Sequence, residues 1–255
     1  MSPTGTCMLC RSVNVDLIDS HIVSRWIYRR ILEYAPAAGP QGIAVADGRA
    51  GYSGKQLSTY LLCRPCEDLL GDWESYAASI SLQDDSVTFP ILSSAAILSA
   101  RSDAAVGQLA GDVNLHKLTR FAVSVFWRAD VAQSDPVVDL NSSREPIRRY
   151  LLGGPLPSEI DLVLTVLRPR PGFPRIDRVV IYPATNSEDG DRHEFVSCGM
   201  YFTLFTKPTP DVLEASLPRK GRLVASDGSQ LLATVTTRTQ TSVPYGKLAA
   251  RNGKP

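Results

Sequence analysis

Two things are scarce in this 255-residue chain: long apolar runs and an excess of either charge. No stretch approaches the ~18 consecutive apolar residues that a membrane-spanning helix needs, so no membrane partner is expected. Lys and Arg number 27 against 26 Asp and Glu, a formal charge of +1. Proteins dedicated to double-stranded DNA are typically more basic, so any nucleic-acid contact has to come from a local patch. Nothing at the N-terminus reads as a secretory signal, which disfavours a disulfide framework and points to reduced cysteines and a cytoplasmic location. The chain also lacks an internal repeat, a phosphate-cradling glycine motif and a Ser-His-Asp arrangement of recognisable spacing. Its composition, 44% hydrophobic and 21% charged, excludes disorder and fits a folded protein.

Against these absences, 4 of the 5 cysteines fall into two matched pairs, Cys7-Met8-Leu9-Cys10 and Cys63-Arg64-Pro65-Cys66. A C-x-x-C pair forms a tight knuckle that aims two thiolates at one point, and four soft thiolates at a tetrahedral centre suit Zn²⁺. The expected ligands of one structural zinc are therefore Cys7, Cys10, Cys63 and Cys66. The alternative is a set of free buried thiols, which leaves the pairing without a reason.

The surroundings of these cysteines carry a resemblance. The order C-x-x-C, a short hydrophobic stretch (Val13–Ile18) ending near Asp19-Ser20-His21, a long excursion, then Leu61-Leu62-Cys63-Arg64-Pro65-Cys66-Glu67 is similar to the zinc-containing HNH, or His-Me finger, endonucleases. A looser similarity takes in Trp73-Glu74 and Phe126-Trp127-Arg128, as in uncharacterised bacterial proteins that carry such a zinc module at the N-terminus. The resemblance implies a treble-clef, ββα module over residues 1–82 with His21 as general base. Mg²⁺ or Mn²⁺ would sit near Asp19 and Glu67, since hard cations take carboxylate oxygen. The family's acidic residue before the histidine is Ser20 here, and its Asn or His after the last cysteine is Glu67. Two functions follow: a metal-dependent endonuclease acting on nucleic-acid phosphodiesters, DNA more than RNA, or a non-catalytic zinc module that binds nucleic acid or a protein partner.

Residues 21–34 hold the candidate basic patch. Ser24 can cap a helix, Ile27 and Ile31 form an i,i+4 apolar pair, and Arg25, Arg29 and Arg30 make a cationic strip suited to phosphate. Residues 35–56, rich in Ala, Gly and Pro, break any long element. A short strand from Gln56 to Leu62 leads into a helix with Pro65 in its first turn and Leu69, Leu70, Trp73, Tyr76, Ala77 and Ile80 on its apolar stripe.

Beyond this module, residues 83–255 are expected to form an α+β region of mixed or antiparallel sheet covered on one side by helices. Helices are predicted over Ile91–Ala100, Leu115–Asp130 and Ser143–Leu152. Strands are predicted over Ile160–Leu167, Arg178–Tyr182 and Phe195–Phe205, with Arg222–Ala225 and Leu231–Thr237 as a hairpin across Asp227-Gly228. His116 reads as a surface or capping residue, His193 as part of a solvated polar turn, and Cys198 as a small buried hydrophobe within a strand. The last dozen residues, with Lys247, Arg251 and Lys254, read as a loose basic tail.

Overall fold

The alternating stretch after the first cysteine pair forms strand β2, Val15–His21, which pairs antiparallel with a two-residue β1, Thr4–Gly5, and with a strand at Ser58–Cys63. The structure, a computed structural model, describes residues 2–33, 42–46, 49–53, 56–83, 88–100, 104–133, 138–168, 179–186, 190–229 and 243–244. Helix α1, Arg25–Glu33, follows β2. Ser24 stands before it, but its buried hydroxyl has no hydrogen-bond partner, so the expected side-chain cap is not made. Within the Gly/Pro-rich stretch lie two five-residue strands, β3 Gly42–Ala46 and β4 Arg49–Ser53. They form a small sheet with Val243–Pro244 from the far end of the chain. Strand β5, Ser58–Cys63, runs straight into helix α2, Arg64–Ile80, whose first turn takes Pro65 without losing a needed N–H. Leu70, Trp73 and Ala77 line its buried face, whereas Leu69 is 38% exposed, because a 100° step per residue puts it on the flank of that line.

The remainder builds the α+β architecture expected from the sequence. Helix α3 is only Pro90–Ser93, and Ala95–Ala100 is strand β6, so the predicted helix over Ile91–Ala100 is corrected to one turn and a strand. The residues are compatible with either state; the neighbouring strand β7, Ala104–Leu109, decides by offering an antiparallel ladder, interrupted only by an irregularity at Leu98. Helix α4, Leu115–Ala132, is capped by Asn114, which accepts the Lys117 N–H. Helix α5, Arg144–Leu151, lies one residue inside its predicted range at each end, and its N-terminal Ser143 makes no side-chain cap.

Strands β8 Asp161–Leu167, β9 Ile181–Thr185, β10 Arg192–Ser197, β11 Met200–Phe205 and β12 Arg222–Ser226 complete a seven-stranded sheet of order β6-β7-β12-β8-β11-β10-β9. It is mixed: β12 runs parallel to β8, and the other pairs are antiparallel. Two short helices, α6 Pro210–Glu214 and α7 Leu217–Lys220, precede β12. The Phe195–Phe205 segment is a hairpin rather than one strand. Its two-residue turn is Cys198-Gly199, both at positive φ (46° and 78°), the geometry of the tight turn that matches strand twist. Cys198 is buried in that turn, not within a strand. The strand predicted over Leu231–Thr237 and the basic tail lie outside the described residues.

One apolar cluster runs from Cys7 to Ala225. Its centre is α4, where every residue from Phe121 to Asp130 is buried. Phe121 meets Phe195 and Phe202 edge-on, and Phe195 stacks on Phe202 at 4.8 Å. Fully burying each such ring is worth roughly 1.5–3 kcal/mol. The charges inside this core are paired. Arg128, 1% exposed, donates to the His21 carbonyl and to Glu74 Oε1, each at 2.7 Å, and so ties α4 to both β2 and α2. Removing one partner of a buried pair of this kind costs about 3–5 kcal/mol, so the tether is a structural necessity of this packing. Asp130 likewise accepts from Arg144 and, at 3.1 Å, from the Leu140 N–H.

His193 is not in a solvated turn. It is the second residue of β10, is fully buried against Phe126, and has Thr185 Oγ1 2.9 Å from Nδ1. Thr185 Oγ1 also accepts the Asp139 N–H at 2.9 Å, which fixes it beside the ring, while Nε2 has no partner. Burial lowers the pKa of this imidazole below 6.5, outweighing the opposite pull of Asp130, Asp139 and Asp191. The unfolded chain therefore binds a proton that the folded chain refuses. Stability conferred by neutral His193 is complete above about pH 6.5 and declines as pH falls through the lowered value. Urea melts between pH 7.5 and 5 should show this decline in the wild type and a flatter dependence in His193→Gln; equal slopes would contradict the assignment.

Candidate metal centre

The first knuckle is a turn at the end of β1. Its backbone is closed by Arg11 N–H to Cys7 O and Cys7 N–H to Ser12 O, each 2.9 Å, and Arg11 turns it with φ 68°. Met8 N–H donates to Leu61 O, which docks the knuckle on β5. The second pair sits where β5 becomes α2: Cys63 is the last strand residue and Cys66 lies in the first helical turn. Pairing of Leu17 with Cys63 in the β2–β5 ladder fixes the register that brings the two pairs together.

The outcome is a single focus. The four sulfurs lie within 4.8 Å of one another, and Cys10 Sγ is 3.7 Å from Cys63 Sγ. Tetrahedral Zn–S bonds of ~2.3 Å would put sulfurs about 3.8 Å apart, so the spacing fits such an ion. A disulfide would need about 2.05 Å, and all four thiols are free. Cys7, Cys63 and Cys66 are buried and Cys10 is half-buried. The Cys63 N–H points at Cys7 Sγ at 3.4 Å, a donor suited to a thiolate. Burial pushes Cys63 and Cys66 upward. For Cys10 burial acts the same way, but hydrogen bonding with Ser12, Cys7 and Cys63 prevails and brings it down to about 6. A cation would offset the cost of ionising the buried Cys63 and Cys66, and the four together could hold a metal ion such as zinc.

The other candidate residues are placed differently. Among the described residues, the four cysteines are the one group of three or more Cys, His, Asp or Glu side chains whose ligand atoms converge. Glu67, on α2, accepts a 2.7 Å hydrogen bond from Ser20 Oγ. Asp19 precedes Ser20 on β2, so it points to the opposite face, away from Glu67, and is exposed. His21 is half-buried at the end of β2, with Nε2 2.8 Å from Gln56 Oε1 and its ring 6.1 Å from that of Tyr28. Gln56 Oε1 can only accept, so Nε2 is the donor in this contact and Nδ1 lies outside it. Arg25 and Arg29 are exposed on α1. Arg30 folds back over Trp26 and donates to Ser81 Oγ, at 2.9 Å, and to Leu82 O.

Two arginines outside the expected site residues hold the site in place. Arg128 carries the His21 backbone, and Arg148 of α5 donates to the Leu9 carbonyl inside the first knuckle at 2.5 Å. Arg128 stands in the Phe126-Trp127-Arg128 stretch of the looser resemblance, which gave it no role. No family model, curated protein or solved structure matches this chain. No helix among the described residues is long and apolar enough to cross a membrane.

Because ligation and folding share the same free energy, Cys63→Ser should lower metal content and unfold β1, β2 and β5 together. Amide exchange compared between wild type and variant checks this; unchanged protection across residues 4–63 would count against a metal staple.

Proposed function

We propose that this chain is a zinc-binding protein whose metal is architectural, and that the surrounding module binds a partner without catalysing a reaction. The observation that carries the reading is the closed ligand set. Four cysteine sulfurs at one focus fill a tetrahedral zinc and leave no position for water or substrate. In this reading zinc supplies a cross-link, while β2, β5 and α2 supply the surface around it. The side chains around His21 agree with a supporting role: Gln56 engages the imidazole, Arg128 the backbone carbonyl, and Ser20 the Glu67 carboxylate.

The partner class favoured by the surface is nucleic acid, through phosphate. Arg25 and Arg29 stand one helical turn apart on the exposed side of α1, and a guanidinium donates two parallel hydrogen bonds to a phosphate.

The HNH-like endonuclease, with His21 as general base and Mg²⁺ or Mn²⁺ at Asp19 and Glu67, is the second reading. The open Nδ1 of His21 favours it. The opposite strand faces of Asp19 and Ser20, and the engagement of Glu67 by Ser20, weigh against its metal site. A treble-clef assignment of the module belongs with this reading.

Incubation with labelled DNA and RNA in Mg²⁺ or Mn²⁺, read for both retention and integrity, separates the two. The expected result is salt-sensitive retention that weakens in Arg25→Ala/Arg29→Ala, with the strands intact. Cleavage that disappears in His21→Ala would establish the endonuclease instead.

A further inference from the structure

Arg148 reaches the metal knuckle from a helix far along the chain, 139 positions from the residue it contacts. Its Nη1 donates to the carbonyl of Leu9, which lies between the two cysteines of the first knuckle. Its Nε and Nη2 are held by the two oxygens of Glu145, each at 2.8 Å, one helical turn back on α5. The side chain is 15% exposed, so the guanidinium is fixed rather than free in solvent. It sits beside the one half-buried ligand, Cys10, whose sulfur acts on it electrostatically. Four thiolates around a divalent ion carry net negative charge in a largely buried place. A fixed guanidinium offsets that charge and holds the turn that aims Cys7 and Cys10. Groups that orient and charge-balance metal ligands typically change affinity by about 10–100-fold when removed.

We propose that Arg148 sets how tightly the four-cysteine site holds its metal, so that helix α5 and the N-terminal knuckle act as one metal-binding unit. The proposal rests on the zinc reading above. Glu145, which also pairs with Arg149 at 3.3 Å and Arg11 at 3.6 Å, is the counterweight: its carboxylate cancels part of the charge that the sulfurs would feel.

Competition of zinc-loaded full-length protein against a chromophoric chelator tests this. Arg148→Gln should still take up one zinc per chain but bind it about 10–100-fold more weakly. Arg148→Lys should recover part of the loss, because it restores the charge without the fork. Glu145→Gln, which leaves Arg148 in place with its charge uncompensated, should bind zinc as tightly as wild type or more tightly. A clamp that acts only through packing would lose affinity in both Arg148→Gln and Glu145→Gln, and that outcome overturns the proposal, as does wild-type affinity in Arg148→Gln. Should Arg148→Gln fail to fold, Glu145→Gln decides alone, with weaker binding counting against. A wild type that takes up no zinc defeats the architectural-zinc reading itself, whereas a zinc-loaded wild type with an indifferent Arg148 defeats only this inference.

Discussion

The convergence of four sulfurs is the contact on which the N-terminal half of the fold depends. Residues 7–10 are held by a few hydrogen bonds, from Met8 to Leu61 and from Arg148 to Leu9, and β1 contributes only two residues to its sheet. Closing the chain from that knuckle to Cys63 costs loop entropy, and the β1–β2 pairing is too short to meet it alone. A metal joining the two pairs would supply the missing free energy at one point, in the way small metal-bound modules generally do. It would also fix direction. With Cys63 held at the end of β5, the first turn of α2 can start nowhere else, and the buried line Leu70, Trp73 and Ala77 is aimed at the interior.

From there the order passes inward through charge as well as apolar surface. Arg128 and Arg148 both donate to backbone carbonyls near the metal module while pairing with carboxylates, Glu74 and Glu145. Buried or half-buried guanidiniums are suited to this double duty, because the planar fork can satisfy two acceptors without moving. The apolar cluster that starts at Cys7 continues through α4 to the far strands of the large sheet, so the metal end and the sheet end share one interior.

Elements governed by local chemistry were legible in the sequence. The cysteine spacing marked the focus, and the helical periodicity of Leu118, Phe121, Ala122, Val125 and Phe126 marked α4, found as Leu115–Ala132. What the sequence concealed was decided by distant neighbours. Ala95–Ala100 has no strong preference of its own and becomes a strand because β7 pairs with it. The hairpin at Cys198-Gly199 lacks the usual Asn-Gly or Asp-Gly signature, since a cysteine there takes the left-handed conformation. His193 lies among charged, turn-forming residues, yet the pairing of β10 with β9 and β11 draws it inside, where Thr185 meets its ring. The backbone carbonyls that Arg128 and Arg148 reach lie 107 and 139 positions away, and no local pattern specifies such a partner.

A closed thiolate site is defined by the identity of the atoms around one ion. Zinc K-edge X-ray absorption of the purified full-length protein measures that shell directly. Four sulfur neighbours at about 2.3 Å, with no nitrogen or oxygen, is the result expected of a closed thiolate site. A shell containing a light atom, whether water or an imidazole nitrogen, would contradict it, because the metal would then have an open or mixed site and could take part in chemistry.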